Sequence, residues 1–86
     1  MITVLYVDDE PTLLDLTKMY LERTGRFSVD VADSAFRALE MRKARKYDAI
    51  VSDYQMPGMD GLALLRAIRE SGDATPFIIF TGKGRE

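Results

Sequence analysis

Short apolar runs alternate with amphipathic stretches along the chain, and this alternation is the feature that most limits its possible folds. Continuous apolar runs typical of buried strands cover Ile2–Val7, 49–52 and Phe77–Phe80. Residues 27–31 alternate between apolar and polar side chains, as an outer strand does. Because helical stretches separate the strands, the predicted order βαβαβαβ indicates an α/β fold with a parallel sheet and helices on both faces.

Start and stop signals bound three predicted helices. Pro11 fits the first turn of the first helix, and Ser34 and Asp60 can cap the second and third. Gly25 and Gly72 fit the positions that follow helix ends. The residues at helical spacing in the first helix are Leu13, Leu14, Thr17, Tyr20 and Leu21. The predicted inner stripes are Ala35, Ala38 and Leu39 in the second helix and Leu62, Leu65 and Ile68 in the third. These elements leave no linker, which predicts a single domain.

The composition excludes several kinds of site. The chain has no cysteine and no histidine, which rules out disulfides, thiolate or imidazole zinc sites and a Ser-His-Asp triad within it. Its formal net charge of −2 provides no general attraction to nucleic acid or to an anionic membrane. The basic run 42–46 is interpreted as a solvated helix end rather than a nucleic-acid patch. With no candidate membrane span or signal peptide, a cytoplasmic protein is expected.

Polar residues stand where three of the predicted strands end. Asp8 and Asp9 follow the first strand, Asp53 ends the third, and Thr81 follows the fourth. In open parallel sheets the ligand site lies outside the carboxyl ends of the strands, so these four residues are expected at one edge. Taken alone, an Asp-Asp pair also fits a helix cap or a solvated turn, and Thr81 fits a plain strand end. Their predicted convergence favours a site.

Clustered carboxylates repel one another, and a divalent cation relieves this repulsion. Mg²⁺ fits because it prefers a few oxygen ligands together with water and phosphate. The same ion could neutralise an incoming phosphoryl group, and a neighbouring carboxylate could attack phosphorus to form an acyl phosphate. A hydroxyl such as that of Thr81 could hydrogen-bond a phosphoryl oxygen. The predicted edge could therefore support phosphoryl chemistry.

Three segments resemble those of two-component response-regulator receiver domains. They are Val-Asp-Asp-Glu at 7–10, Val-Ser-Asp-Tyr-Gln-Met-Pro-Gly-Met-Asp-Gly at 51–61, and Phe-Thr-Gly at 80–82. The resemblance covers residues 1–82. It implies a flavodoxin-like, doubly wound parallel sheet with strand order 2-1-3-4. It also implies a phosphorylation switch in signal transduction, rather than an enzyme that turns over a free substrate.

The resemblance implies roles for individual residues. Asp53 would accept a phosphoryl group from a partner sensor histidine kinase or phosphotransfer protein. Asp9 and Asp53 would bind Mg²⁺ through their side chains, Gln55 would bind it through its backbone carbonyl, and Asp8 would act through water or a weaker contact. Thr81 would be the switch hydroxyl that turns toward the phosphoryl group.

The chain departs from the receiver pattern after its fourth strand. A full receiver domain continues with a helix, a fifth strand that carries a lysine near the acceptor, and a last helix. We therefore expect residues 1–86 to be a C-terminally incomplete receiver domain, with Lys83 a loop lysine rather than a replacement for the absent one. Two hypotheses follow, that the chain alone accepts phosphate poorly and that the exposed edge of Phe77–Phe80 promotes self-association.

Two other functions stay open on the sequence. One is a small Mg²⁺-dependent phosphatase with an aspartyl nucleophile. Haloacid-dehalogenase-like phosphatases carry an Asp-x-Asp pair after the first strand, whereas here Gln55 stands two positions after Asp53 and the acceptor follows the third strand. The other is a receiver-like interaction module that never takes phosphate, against which the acidic pair and Thr81 argue.

Overall fold

The structure is a computed structural model that describes residues 1–81. Within this range the chain forms four strands and three helices in the predicted alternating order. The elements are β1 (Ile2–Val7), α1 (Pro11–Glu22), β2 (Phe27–Ala32), α2 (Ala35–Ala44), β3 (Ala49–Asp53), α3 (Gly61–Glu70) and β4 (Phe77–Phe80). The α/β class predicted from the alternation is confirmed.

The strands form one parallel sheet in the order β2-β1-β3-β4, which confirms the predicted order. β1 is central, and its Val4 pairs with Val29 of β2 on one side and with Ala49 of β3 on the other. The chain therefore winds outward in one direction to β2 and in the other to β4. The carboxyl ends of β1 and β3 flank the point where the winding reverses, where such sheets bind their ligands.

Helices cover both faces of the sheet, because alternate strand residues point to opposite sides. On one face, Val4 and Tyr6 of β1 pack with Leu14 of α1 and Val29. The other face carries a second apolar cluster that includes residues of α2 and α3, and its buried members are Leu5, Val7, Ala32, Ala35, Ala38, Ile50, Met56, Leu64 and Ile68. β1 is thus buried on both sides, as its continuous apolar run predicts.

The predicted helix starts are confirmed. The Ser34 side chain accepts a hydrogen bond from the Arg37 backbone N–H at 3.1 Å, and Asp60 accepts one from Ala63 N–H at 2.8 Å. Pro11 occupies the start of α1. Each side-chain oxygen satisfies a backbone donor that has no partner within the helix, which fixes where the helix begins.

The predicted inner faces of two helices need correction. In α3, Leu64 and Ile68 are fully buried, whereas Leu62 and Leu65 are only half-buried. Gly61 packs against the end of β3, and this contact turns α3 so that positions 61, 64 and 68 face the sheet. In α1, Leu14 is buried, but Tyr20 is 70% exposed. Ala35 and Ala38 of α2 are buried as predicted, with Leu39 packed against them.

The basic run 42–46 is mostly exposed, as predicted, although two of its arginines also form ion pairs. Arg42 forms an ion pair with Asp73 at 3.4 Å, and Arg45 forms one with Asp30 at 3.0 Å. The Tyr47 hydroxyl also donates to Asp30, at 2.6 Å. These contacts connect the end of α2 to β2 and to the segment after α3.

β4 pairs only with β3 among residues 1–81, and its Ile78 side chain is 57% exposed. Self-association through this edge stays a prediction. Lys83 lies outside the described residues. In the described part of the chain, none of the helices is both long and apolar enough to cross a membrane.

Candidate functional site

Three carboxylates meet at the carboxyl edge of the sheet, as predicted. Asp8 and Asp9 directly follow β1, and Asp53 is the last residue of β3. One carboxylate oxygen of each lies within 4.8 Å of the corresponding oxygens of the other two. Asp8 and Asp53 are 0% and 1% exposed, and Asp9 is half-buried. The acidic side chains thus form a compact, largely buried group of hard oxygen donors.

Asp8 is held by hydrogen bonds to its backbone and to both carboxylate oxygens. Its N–H donates to the Ala32 carbonyl at 3.1 Å, which extends the pairing of β1 with β2. Its Oδ1 accepts the Glu10 backbone N–H at 3.0 Å, and its Oδ2 accepts the Tyr6 hydroxyl at 3.0 Å. The carboxylate is therefore fixed in one orientation.

The contact between Tyr6 and Asp8 was not predicted from the sequence, where Tyr6 counted only as part of the apolar run of β1. The spacing of two residues between Tyr6 and Asp8 could have indicated it. Residues two apart on a strand lie on the same side, so a tyrosine two positions before Asp8 can extend its hydroxyl toward that carboxylate. Tyr6 thus combines a ring packed in the core with a polar group at the site.

Asp53 is positioned by pairing of β3 with β4 and by close approach of α3. Asp53 is the register partner of Phe80, and the Tyr54 N–H donates to the Phe80 carbonyl at 2.8 Å. The Gly61 N–H donates to the Tyr54 carbonyl at 2.8 Å. A Cβ at Gly61 would lie 2.4 Å from the Asp53 carbonyl oxygen, so only glycine fits this approach.

Thr81 and Gln55 lie at the same edge of the sheet. Thr81 directly follows Phe80, the register partner of Asp53, and its side chain is exposed. Gln55 is exposed in the loop between β3 and α3, two residues after Asp53. The structure therefore brings the three aspartates into contact range and places Thr81 and Gln55 nearby in the fold. The roles assigned to the threonine hydroxyl and to the glutamine carbonyl stay predictions.

Burial raises the pKa of Tyr6 above its ordinary value of 10.0, and the hydrogen bond to Asp8 and the negative charges of Asp8 and Asp53 raise it further. A hydrogen bond with Thr17 acts in the opposite direction. The phenol consequently stays protonated at neutral pH. It can serve as a permanent hydrogen-bond donor to the acidic group.

The donor set suits a small hard cation. Mg²⁺ prefers carboxylate and carbonyl oxygens, and it commonly takes only one or two carboxylates from the protein. Three carboxylates whose oxygens lie within 4.8 Å offer these ligands, and a divalent cation among them would offset their repulsion. The described residues therefore fit a magnesium site.

Comparisons with known proteins agree with this arrangement. Residues 4–86 match the family model of the response regulator receiver domain. The chain is 42% identical over 83 residues to the transcriptional regulatory protein ResD of Bacillus subtilis and 39% identical to SrrA of Staphylococcus aureus. Each alignment covers 96% of this chain and 34% of the relative, so the chain spans about a third of these proteins.

Solved structures show the same fold. The chemotaxis protein CheY4 of Vibrio cholerae matches with a TM-score of 0.89 and 29% identity, over 99% of this chain and 72% of CheY4. The Francisella response regulator 1452 receiver domain matches with a TM-score of 0.90 and 32% identity, over 99% and 69% of the two chains. These likenesses confirm the flavodoxin-like fold. The chain belongs to the response regulator receiver domain family.

Proposed function

We propose that this chain is a phosphorylation switch of two-component signalling in which Asp53 accepts the phosphoryl group. The observation that carries the proposal is the meeting of Asp8, Asp9 and Asp53, with oxygens within 4.8 Å, at the carboxyl edge of a doubly wound sheet. Asp53 is the member that ends β3 beside the point where the winding reverses. Family membership supports a switch as the role of such a site.

In the proposed reaction, a carboxylate oxygen of Asp53 attacks the phosphorus of a phosphohistidine on a sensor histidine kinase or phosphotransfer protein. A new O–P bond forms while the P–N bond breaks, and its electron pair leaves with the imidazole nitrogen. The product on this chain is an aspartyl phosphate. The 86 residues include no histidine, so the donor imidazole lies outside them.

The residues proposed to hold Mg²⁺ are Asp9 and Asp53 through their side chains and Gln55 through its backbone carbonyl. When bound, the ion supplies positive charge against the carboxylates and the incoming phosphoryl group. Asp8 is assigned a water-mediated or weaker contact. This assignment is supported by the hydrogen bonds that both of its carboxylate oxygens already accept.

Thr81 is proposed as the switch hydroxyl that donates to a phosphoryl oxygen on Asp53. Its side chain is exposed at the end of β4, where a change of rotamer disturbs little packing. Reorientation of this hydroxyl would alter the surface at the end of β4. Such a change is the kind of signal that a partner protein could detect.

The stoichiometry of phosphorylation distinguishes a switch from a phosphatase. We expect acetyl phosphate with MgCl₂ to add at most one phosphoryl group per chain and Asp53→Asn to take none. We also expect no continuous release of phosphate from p-nitrophenyl phosphate, because the residue two positions after Asp53 is Gln55 rather than an acid. Sustained turnover that depends on Asp53 would favour the phosphatase instead.

A further inference from the structure

We infer that Tyr6 is a positioning residue of the magnesium site, whose hydroxyl holds the Asp8 carboxylate in the orientation that supports the ion. The inference rests on the proposed function of Asp8, Asp9 and Asp53. It assigns a role in ligand geometry to a residue of the core of β1. It also gives a function to the one hydroxyl in the buried part of β1, residues 4–7.

The hydrogen bond from Tyr6 completes the support of Asp8. The phenol donates to Oδ2 at 3.0 Å, while the Glu10 backbone N–H donates to Oδ1 at 3.0 Å. The tyrosine and Asp8 are both buried, so bulk water does not offer an equal replacement. Hydrogen bonds to an ionised carboxylate are stronger than those between neutral groups. The two donors together leave the carboxylate one favourable orientation.

The Tyr6 ring is itself held in place, which makes its hydroxyl a precise donor. The ring packs with Val4, Leu14 and Val29. It also stacks on the ring of Phe80, with centroids 5.8 Å apart and planes inclined by 11°. A donor on a central strand with a packed ring cannot follow Asp8 if that carboxylate rotates. Polar contacts that orient metal ligands are effective when their own side chains are locked in this way.

Residues that orient metal ligands have a measurable effect on affinity. Removal of such a contact typically weakens metal binding by about 10- to 100-fold. Tyr6→Phe keeps the ring and its stacking on Phe80 and removes only the hydroxyl. We therefore expect Mg²⁺ to bind to this variant about tenfold more weakly than to the wild type.

The chain contains a matched control for this substitution. The Tyr47 hydroxyl also donates to a carboxylate, that of Asp30, at 2.6 Å. Tyr47 lies just before β3, at the opposite edge of the sheet from the acidic group. Tyr47→Phe therefore removes the same atom and the same kind of hydrogen bond without touching the metal site. We expect its Mg²⁺ affinity to equal that of the wild type.

The test is a titration with MgCl₂, followed through amide chemical shifts by NMR, below the unfolding temperature of every variant. The set comprises wild type, Tyr6→Phe, Tyr47→Phe, Asp8→Asn and the Tyr6→Phe/Asp8→Asn double variant. If Tyr6 acts through Asp8, Tyr6→Phe weakens binding about tenfold in the wild-type background and has little further effect beside Asp8→Asn.

The outcomes separate the inference from the proposed function. Unchanged Mg²⁺ affinity of Tyr6→Phe, or an equal loss in both backgrounds, would overturn the positioning role while leaving the metal site in place. Failure of the wild type to bind Mg²⁺ at all would overturn the proposed site and the inference with it. A loss in Tyr47→Phe as large as that in Tyr6→Phe would assign the effect to general destabilisation and overturn the inference.

Discussion

The backbone of Gly61 lies against the carbonyl oxygen of Asp53, which a Cβ at position 61 would approach to 2.4 Å. The start of α3 therefore packs directly against the backbone of the residue that is proposed to accept phosphate. We expect Gly61→Ala to push these segments apart, to lower the free energy of unfolding by about 2 kcal/mol and to weaken Mg²⁺ binding. Urea unfolding and MgCl₂ titration measure the two effects.

Gly72→Ala is the control for this prediction. Gly72 has a φ of 89° and nothing within 4 Å of an added Cβ, so the substitution strains the backbone without a clash. We expect a loss of about 1 kcal/mol and unchanged Mg²⁺ affinity, because Gly72 follows the far end of α3. Equal loss of Mg²⁺ affinity in both variants would show that the contact with Asp53 has no special importance.

The cap of α3 gives a second prediction. Asp60→Ala removes the acceptor of the Ala63 N–H and should lower the free energy of unfolding by about 1 kcal/mol. Asp60→Asn should keep most of this stability, because an asparagine oxygen can accept the same bond. Thermal or urea unfolding of the two variants tests this. An asparagine variant as unstable as the alanine variant would mean that charge, not the hydrogen bond, supplies the stabilisation.

Metal binding should stabilise the fold. At a free Mg²⁺ concentration about 100 times the dissociation constant, we expect the free energy of unfolding to rise by about 2.7 kcal/mol, and chelation should reverse the rise. Asp9→Asn should remove most of this gain, because it takes away a proposed ligand. Asp33→Asn is the matched control, since Asp33 is exposed just after β2 at the same edge of the sheet. Equal losses in the two variants would point to non-specific attraction of cations.

Asp73 links stability to pH at the opposite end of the molecule. Hydrogen bonds from the Thr75 hydroxyl and N–H, followed by the charge of Arg42, hold the pKa of Asp73 below its ordinary value of 3.8. A carboxylate with a lowered pKa stabilises the folded state fully above that ordinary value, and the contribution disappears as the pH falls through the lowered pKa. Asp73→Asn should therefore cost about 1 kcal/mol near neutral pH and progressively less in acid.

The measurement is the free energy of unfolding of the wild type and of Asp73→Asn, determined by urea unfolding at a series of pH values from neutral to strongly acidic. An asparagine at position 73 still accepts the hydrogen bonds from Thr75, but as a neutral acceptor without the attraction to Arg42. Asp33→Asn controls for the loss of one negative charge without weakening these contacts. A cost of Asp73→Asn that stays constant down to strongly acidic pH would contradict the assigned pKa shift.

The order of strands and helices, and the edge of the sheet at which the site lies, could be predicted from the sequence. Hydrophobic periodicity is a local property of the chain, and the connections of parallel sheets follow strict rules. Apolar runs located β1, β3 and β4, and the crossover rule then placed Asp8 and Asp53 at one edge. The prediction needed only the end of each strand. It did not depend on how side chains pack.

Helix rotation and side-chain partners were harder to predict. α3 carries apolar residues at positions 62, 64, 65 and 68, and both the set 62, 65 and 68 and the set 61, 64 and 68 have helical spacing. Spacing alone therefore does not select between the two sets, and the prediction chose the wrong one. The actual rotation follows from the contact between Gly61 and β3, which appears only in three dimensions. Tyr6 fits the apolar run of β1 because its ring packs in the core. The acceptor of its hydroxyl could not be predicted, because it depends on where the Asp8 carboxylate lies in three dimensions.

The most direct measurement of the central claim is the location of the phosphoryl group. The protein is incubated with acetyl phosphate and MgCl₂, the acyl phosphate is trapped by borohydride reduction, and the modified residue is identified by peptide mass spectrometry. The account predicts modification at Asp53 that depends on Mg²⁺ and is absent from Asp53→Asn, with low occupancy because this chain alone is expected to accept phosphate poorly. Modification at Asp8 or Asp9 with Asp53 unmodified, or equal labelling of the wild type and Asp53→Asn, would contradict it.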